Sequence, residues 1–282
     1  MSPKSGSWLH NNLNRHWKSY SQRLRQCQCR ASADAVHKLR TATRRLLALI
    51  ELLQCLAPHP SLKRLRKTLK YQLDNLDPLR DTQVMRQRIG DLIYDHPQLT
   101  NFLHHLYVEE QRLLIATDAN LNHFGQSKLR RPLKKAIDRT HRALIHENIQ
   151  QRLMTVIDRL YQSALERYHL SNPQQLDSLH ALRISIKKLR YSLELTQSVL
   201  APLPEPVHFK MQLYLDRLGD IQNAQVLEHT LNAYYVADYP ETLHAFFHSH
   251  QQALINDYLA IQATLQEFWR ADAQTPFPWD SQ

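Results

Sequence analysis

The sequence is poor in the residues from which most phosphate and nucleotide sites are built. Only 4 of its 282 residues are glycine, and neither a G-x-G-x-x-G nor a G-x-x-x-x-G-K run occurs. A glycine-rich loop whose backbone amides cradle phosphate is thereby excluded, so any phosphate bound here must be held by side chains. Cysteine occurs 3 times, at Cys27, Cys29 and Cys55, an odd count too small for a disulfide framework. The C-x-C pair is half of a soft-metal set with no second pair to complete it, and buried or idle thiols are the simpler reading. No apolar run approaches the roughly 20 residues that a membrane span needs. The nearest, Leu46 to Leu53, is interrupted by Glu51. Met1 to Asn12 is polar and lacks the apolar stretch of a signal peptide, so cytoplasmic residence is the expectation.

What the chain has in excess is positive charge, and it is unevenly placed. Lys and Arg number 36 against 26 Asp and Glu, a formal net of +10. From Ala201 to Gln282 only 3 basic residues stand against 10 acidic ones, so the first 200 residues hold 33 basic and 16 acidic side chains. Residues 36 to 70 carry nine Lys or Arg with Glu51 alone opposing them. A field that concentrated attracts polyanions and repels itself in their absence. A solvated, solubilising face is the competing account, and the pattern of the charges has to choose between the two.

Period-two alternation of apolar and polar residues is absent, while Leu, Gln, Arg, Lys, Ala and Glu dominate, which predicts an all-α protein. Prolines and capping residues place helices at about 8–28, 33–57, 61–76, 79–95, 97–123, 127–169 with one break, 174–200, 206–218, 222–238 and 240–270. The stretch from 271 to 282 reads as an irregular tail.

The chain also repeats itself. His37-Lys-Leu-Arg40-Thr-Ala-Thr-Arg44-Arg45-Leu46 aligns with His180-Ala-Leu-Arg183-Ile-Ser-Ile-Lys187-Lys188-Leu189 at an offset of 143 residues. Downstream, Leu76-Asp77-Pro78-Leu79-Arg80-Asp81 aligns with Leu218-Gly219-Asp220-Ile221-Gln222-Asn223 at an offset of 142. Two motifs in the same order at nearly the same spacing imply duplication, with repeats of about 8–145 and 146–270. The expected architecture is two pseudo-symmetric antiparallel helical bundles around a basic central groove or channel, with the two basic helices facing each other.

On a helical wheel with Leu39 at zero, Thr43, Leu46, Ile50 and Leu53 form one stripe, and His37, Arg40 and Arg44 fall on the adjoining face at roughly 100° to 160°. In the second copy Leu182, Ile186, Leu189 and Leu193 form the stripe, with His180, Arg183, Lys187 and Arg190 beside it. Each copy thus places a basic ribbon next to a core seam. Like charges at i, i+3 and i+4 destabilise a helix by a few tenths of a kcal/mol per pair, so helix stability does not call for such a ribbon twice. An anionic partner does: Arg offers a planar fork, Lys a point charge, and His a donor near its titration point. Arg45 and Lys188 fall on the opposite flank, toward solvent or a neighbouring helix.

Lys63, Arg66, Lys67 and Lys70 share a further basic face, and Arg130, Arg131, Lys134 and Lys135 form a third cluster. For these the solvated and the anion-binding readings are equally compatible with the pattern. Asp81 after Pro78 reads as a cap or an ion pair at a helix start. His244 and His248 have i, i+4 spacing without a third ligand, and His146-Glu147 lacks the second His of a zincin motif. No nucleophile arrangement stands out, so catalysis is not expected, and no cofactor is implied.

The His37 and His180 stretches resemble the signature helices of the CHAD family, named for its histidine-bearing α-helical domain. The Leu-Arg80-Asp81-x-x-Val84 stretch, with its second copy through Asn223 and Val226, resembles that family's next motif. The resemblance spans about residues 8–270 and implies a single CHAD-like domain of two repeats that binds inorganic polyphosphate without acting on it. It further implies targeting to polyphosphate granules. Carried over position by position, the binding set is His37, Arg40, Arg44, Arg45, His180, Arg183, Lys187, Lys188 and Arg190. Two departures are visible: Leu47 stands where Arg190 stands in the second copy, and Asp77 replaces the glycine kept as Gly219. The first half is therefore expected to offer one phosphate contact fewer. No triphosphate-tunnel (CYTH) enzyme domain fits within 282 residues. Rival readings are a nucleic-acid-binding helical protein, against which the ribbons lack interleaved aromatics, and a metal-dependent polyphosphate hydrolase, which needs clustered carboxylates.

Overall fold

The structure, a computed structural model, describes residues 5–123, 127–145, 147–200, 202–236 and 238–280. His146, half of the His-Glu pair weighed above, lies outside them. The described residues contain α-helices and short 3-10 segments and no strand. They divide into two compact units, Met1–Arg152 and Leu153–Gln282.

The first unit is built on α1 (Ser5–Cys29), α2 (Ala33–Leu56), α3 (Pro60–Leu92), α4 (Thr100–His123) and α5 (Ser127–Leu144). Short connections force successive helices to turn back, and α1 packs on α2, α2 on α3, and α3 on α4, with α5 against α1 and α3. Local chemistry fixes the turns. The Ser32 side chain accepts from the Ala35 amide to cap α2, and the His59 ring accepts from the Ser61 amide ahead of α3, whose first residue is Pro60. The seam drawn from the wheel is buried: Leu39, Thr43, Leu46, Ile50 and Leu53 are all within 1 % of full burial. Tyr20 donates to Gln72 at 2.7 Å, tying α1 to α3 inside that core.

The chain enters the second unit within α6 (Ile149–His169), followed by α7 (Leu176–Thr196), α8 (Glu205–Tyr235) and α9 (Glu241–Leu259). Helices α6 to α8 follow one another as α1 to α3 do, in the register of the sequence repeat. Here α8 is central, packed on α7, on α9 and on the 3-10 segment Gln262–Glu267. Tyr214, Tyr258 and Phe268 meet edge to face with ring centroids 5.5 Å apart, and the Tyr161 hydroxyl donates to the Leu265 carbonyl.

Three helix boundaries expected from the sequence are corrected. A break at Pro78 is absent: α3 runs through it. An internal proline costs about 3 kcal/mol, but Pro78 and Asp74 both face solvent, where the orphaned carbonyl can turn to water. Leu69, Leu73, Leu76 and Leu79 stay buried along the other side, each contributing roughly 1.5–3 kcal/mol. Asp81 therefore caps nothing. Likewise α8 continues across Gly219, a cost of about 1 kcal/mol that buried Leu215, Leu218 and Ile221 outweigh. The last expected helix, 240–270, instead ends at Leu259 and gives way to the 3-10 segment.

His16 on α1 is 8 % exposed, and its Nε2 has no hydrogen-bond partner. Burial, reinforced by Arg15 and Arg45, lowers its pKa to about 4. The unfolded chain takes up this proton near pH 6.5 and the fold resists it until about 4, so stability is full above 6.5 and falls as the pH drops through that window. At about 1.4 kcal/mol per pH unit the loss reaches at most ~3.5 kcal/mol. Urea unfolding at pH 7, 5.5 and 4.5 should show a shallower acid loss for His16→Leu than for the wild type; parallel profiles would refute the assignment.

Candidate anion-binding ribbons

In the first unit the helical period of α2 sets Arg40 and Arg44 half-buried at the edge of the seam, with His37 more exposed one turn earlier. Arg40 donates through Nη2 to the Asp77 carboxylate of α3, a pair whose side chains retain 12 % and 36 % exposure. Asp81, one turn further along α3, lies in the field of Arg40, Arg44 and Arg80, yet burial holds its carboxyl above the ordinary range. Arg80 joins the group as well. Burial, with Arg80, Arg40 and Arg44, lowers the His37 pKa, so the ring is neutral at pH 7 and the Arg residues supply the charge.

In the second unit α7 places His180, Arg183, Lys187 and Arg190 half-buried along the same edge. Burial, followed by Arg183 and Lys187, again lowers the histidine, while Gln222 hydrogen-bonds its ring and opposes the shift. Among the described residues, Gly219 is the glycine that another side chain approaches closely. A Cβ there would sit 2.9 Å from Arg183 Nη2, so the guanidinium lies in the space that any side chain would occupy. Arg190 is engaged within its own unit: it donates to Gln212, lies 3.5 Å from Glu194, and its guanidinium carbon is 5.3 Å from the Tyr191 ring centroid.

The remaining sequence candidates separate by position. Arg45 is exposed on the far flank of α2, where its charge is felt by His16 on α1. Lys188 is exposed on the corresponding flank of α7. Lys63, Arg66, Lys67 and Lys70 line the solvent face of α3, where Arg66 pairs with Glu51 at 2.7 Å and Lys70 with Asp74 at 2.9 Å. Arg130, Arg131 and Lys134 are exposed on α5. Arg80, Asp77 and Asp81 were not in the sequence-derived set. The repeat alignment held their signal, since Gln222, Gly219 and Asn223 stand opposite them.

Cys27 is buried and its thiol is pushed up to about 11 by burial, with Asp118 nearby, whereas Cys29 and Cys55 are exposed. Among the described residues no group of three His, Cys, Asp or Glu is placed to hold a metal ion. None of the described helices is long and apolar enough to cross a membrane.

Fold and ribbons together define an all-helical, internally duplicated protein with a half-buried row of cations in each unit. The sequence profile of the CHAD domain matches residues 12–232, and the chain belongs to the CHAD family. Among solved structures it is similar to the crystal structure of the CHAD domain from the plant Ricinus communis, at 19% identity and a TM-score of 0.74. That likeness covers 96% of this chain and 94% of the other and shows a common helical fold. No curated protein matches the sequence.

Proposed function

We propose that this protein is a non-catalytic module that binds inorganic polyphosphate through the ribbons of α2 and α7. The observation that carries the reading is the recurrence, at equivalent places in both units, of cations held half-buried beside the core seam. Solubility is served by exposed charge. Holding Arg44, Arg183 and Lys187 partly out of water costs solvation, and a bound anion would add to what offsets it. Neutral His37 and His180 add donors without adding repulsion, and a phosphate beside them would favour their charged form. Membership of the CHAD family supports polyphosphate over other polyanions. Binding rather than hydrolysis is supported by Asp77, a carboxylate beside the first ribbon, which pairs with Arg40 instead of standing ready for a metal. Such a module would serve in the cytoplasm to attach its chain to polyphosphate granules.

The test is a titration of long-chain polyphosphate at several salt concentrations, with RNA as competitor. Counterion release gives a slope of log K against log salt of about −0.7 per phosphate neutralised on a single-stranded polyanion. Engagement of four to six phosphates therefore predicts a slope of about −3 to −4. Polyphosphate should displace RNA at matched phosphate concentration. Displacement only in the opposite direction would make this a nucleic-acid-binding protein, and release of orthophosphate from long chains in Mg²⁺ or Mn²⁺ would make it a hydrolase.

A further inference from the structure

The two ribbons differ in what faces their first arginine. On α3 the position facing the Arg40 guanidinium is Asp77; on α8 the position facing Arg183 is Gly219. One turn on, Asp81 is matched by Asn223. In the first unit a carboxylate accepts the hydrogen bond that a phosphate oxygen would take. In the second, the guanidinium rests against a helix backbone with no Cβ in its way.

We propose that Asp77 is a specificity-determining residue of the first ribbon: it competes with the ligand for Arg40 and so restricts that ribbon to long phosphate chains. The proposal rests on the polyphosphate-binding reading above. A carboxylate fixed in the same fold competes at a high effective concentration. A short anion arriving from solution must displace it unaided, and then lies beside its negative charge. A long chain already held by neighbouring cations such as Arg44 presents its next phosphate to Arg40 as an intramolecular rival, on equal terms with Asp77. The pair thus discounts short anions more heavily than long ones. Asp81, shared among Arg40, Arg44 and Arg80, adds to the same bias.

The experiment measures the affinity of the full chain for tripolyphosphate and for long-chain polyphosphate at low salt. Asp77→Asn, which keeps the side chain's size and removes its charge, should bind tripolyphosphate about tenfold more tightly and the long chain only about threefold more tightly. Asp77→Gly should behave likewise. Gly219→Asp should weaken tripolyphosphate more than the long chain, and Gly219→Ala separates crowding of Arg183 from charge. Equal gains for both ligands, or no gain in a chain that binds long polyphosphate, would overturn the proposal. A wild-type chain that binds no polyphosphate would overturn the functional reading beneath it, a distinct result.

Discussion

Combined replacement of His37, Arg40, Arg183 and Lys187 by alanine is expected to weaken polyphosphate binding by at least two orders of magnitude. A hydrogen bond to a charged group contributes roughly 1.5–3 kcal/mol net, so even partial, non-additive loss of four donors exceeds the ~2.7 kcal/mol that a hundredfold change requires. Net charge alone cannot be the cause if a control variant behaves differently. Lys63→Ala, Lys67→Ala, Arg131→Ala and Lys134→Ala removes four cations, one more than the ribbon variant, all from exposed faces. Its affinity should fall no more than about tenfold, the share of long-range attraction that salt screens. Circular dichroism and a thermal melt check the fold, because Arg40→Ala strands Asp77 with its side chain 36 % exposed. Equal losses in the two variants would remove the ribbons as the site.

Asp158→Ala is expected to destabilise the second unit by about 3 kcal/mol. Its carboxylate on α6 accepts from Arg270 Nη2 at 2.7 Å, from Arg270 Nε at 3.0 Å and from Trp269 Nε1 at 2.8 Å. Both partners of the ion pair are largely buried, at 16 % and 18 % side-chain exposure, so removal leaves a guanidinium and an indole N–H without their acceptor. Arg270 also faces the Phe277 ring, and Phe277 and Trp279 pack on Trp269. One carboxylate thereby fastens the chain beyond α9 back onto α6. Asp158→Asn, which keeps an acceptor, should lose about half as much. Urea unfolding reads both, and a change below ~0.5 kcal/mol for the alanine variant would show the network to be incidental.

Much of this was legible without coordinates. The helical class, the two buried seams and the half-buried edge beside them follow from a period of 3.6 residues, which depends on residue order alone. The repeat needed only self-comparison. Helix boundaries were less legible, because the strongest local signals, Pro78 and Gly219, are overruled by leucines several residues away on the other side of the same helices. The motif helices were enough to show the CHAD resemblance, but they could not tell which cations are already engaged.

That division has a physical basis. That this protein is helical, duplicated and basic in its first two hundred residues follows from composition, from spacing within single helices and from comparison of the chain with itself. What each cation meets depends on how the helices pack. Arg40 meets Asp77 from 37 residues away, Arg183 meets the bare backbone of Gly219, and Arg190 meets Gln212. Such pairings join separate helices, and their energy depends on distances and burial that no single helix fixes. The same α2 and α7 motif therefore carries an arginine paired with a carboxylate in one unit and, in the other, one that lies against a glycine and donates to the Leu215 carbonyl.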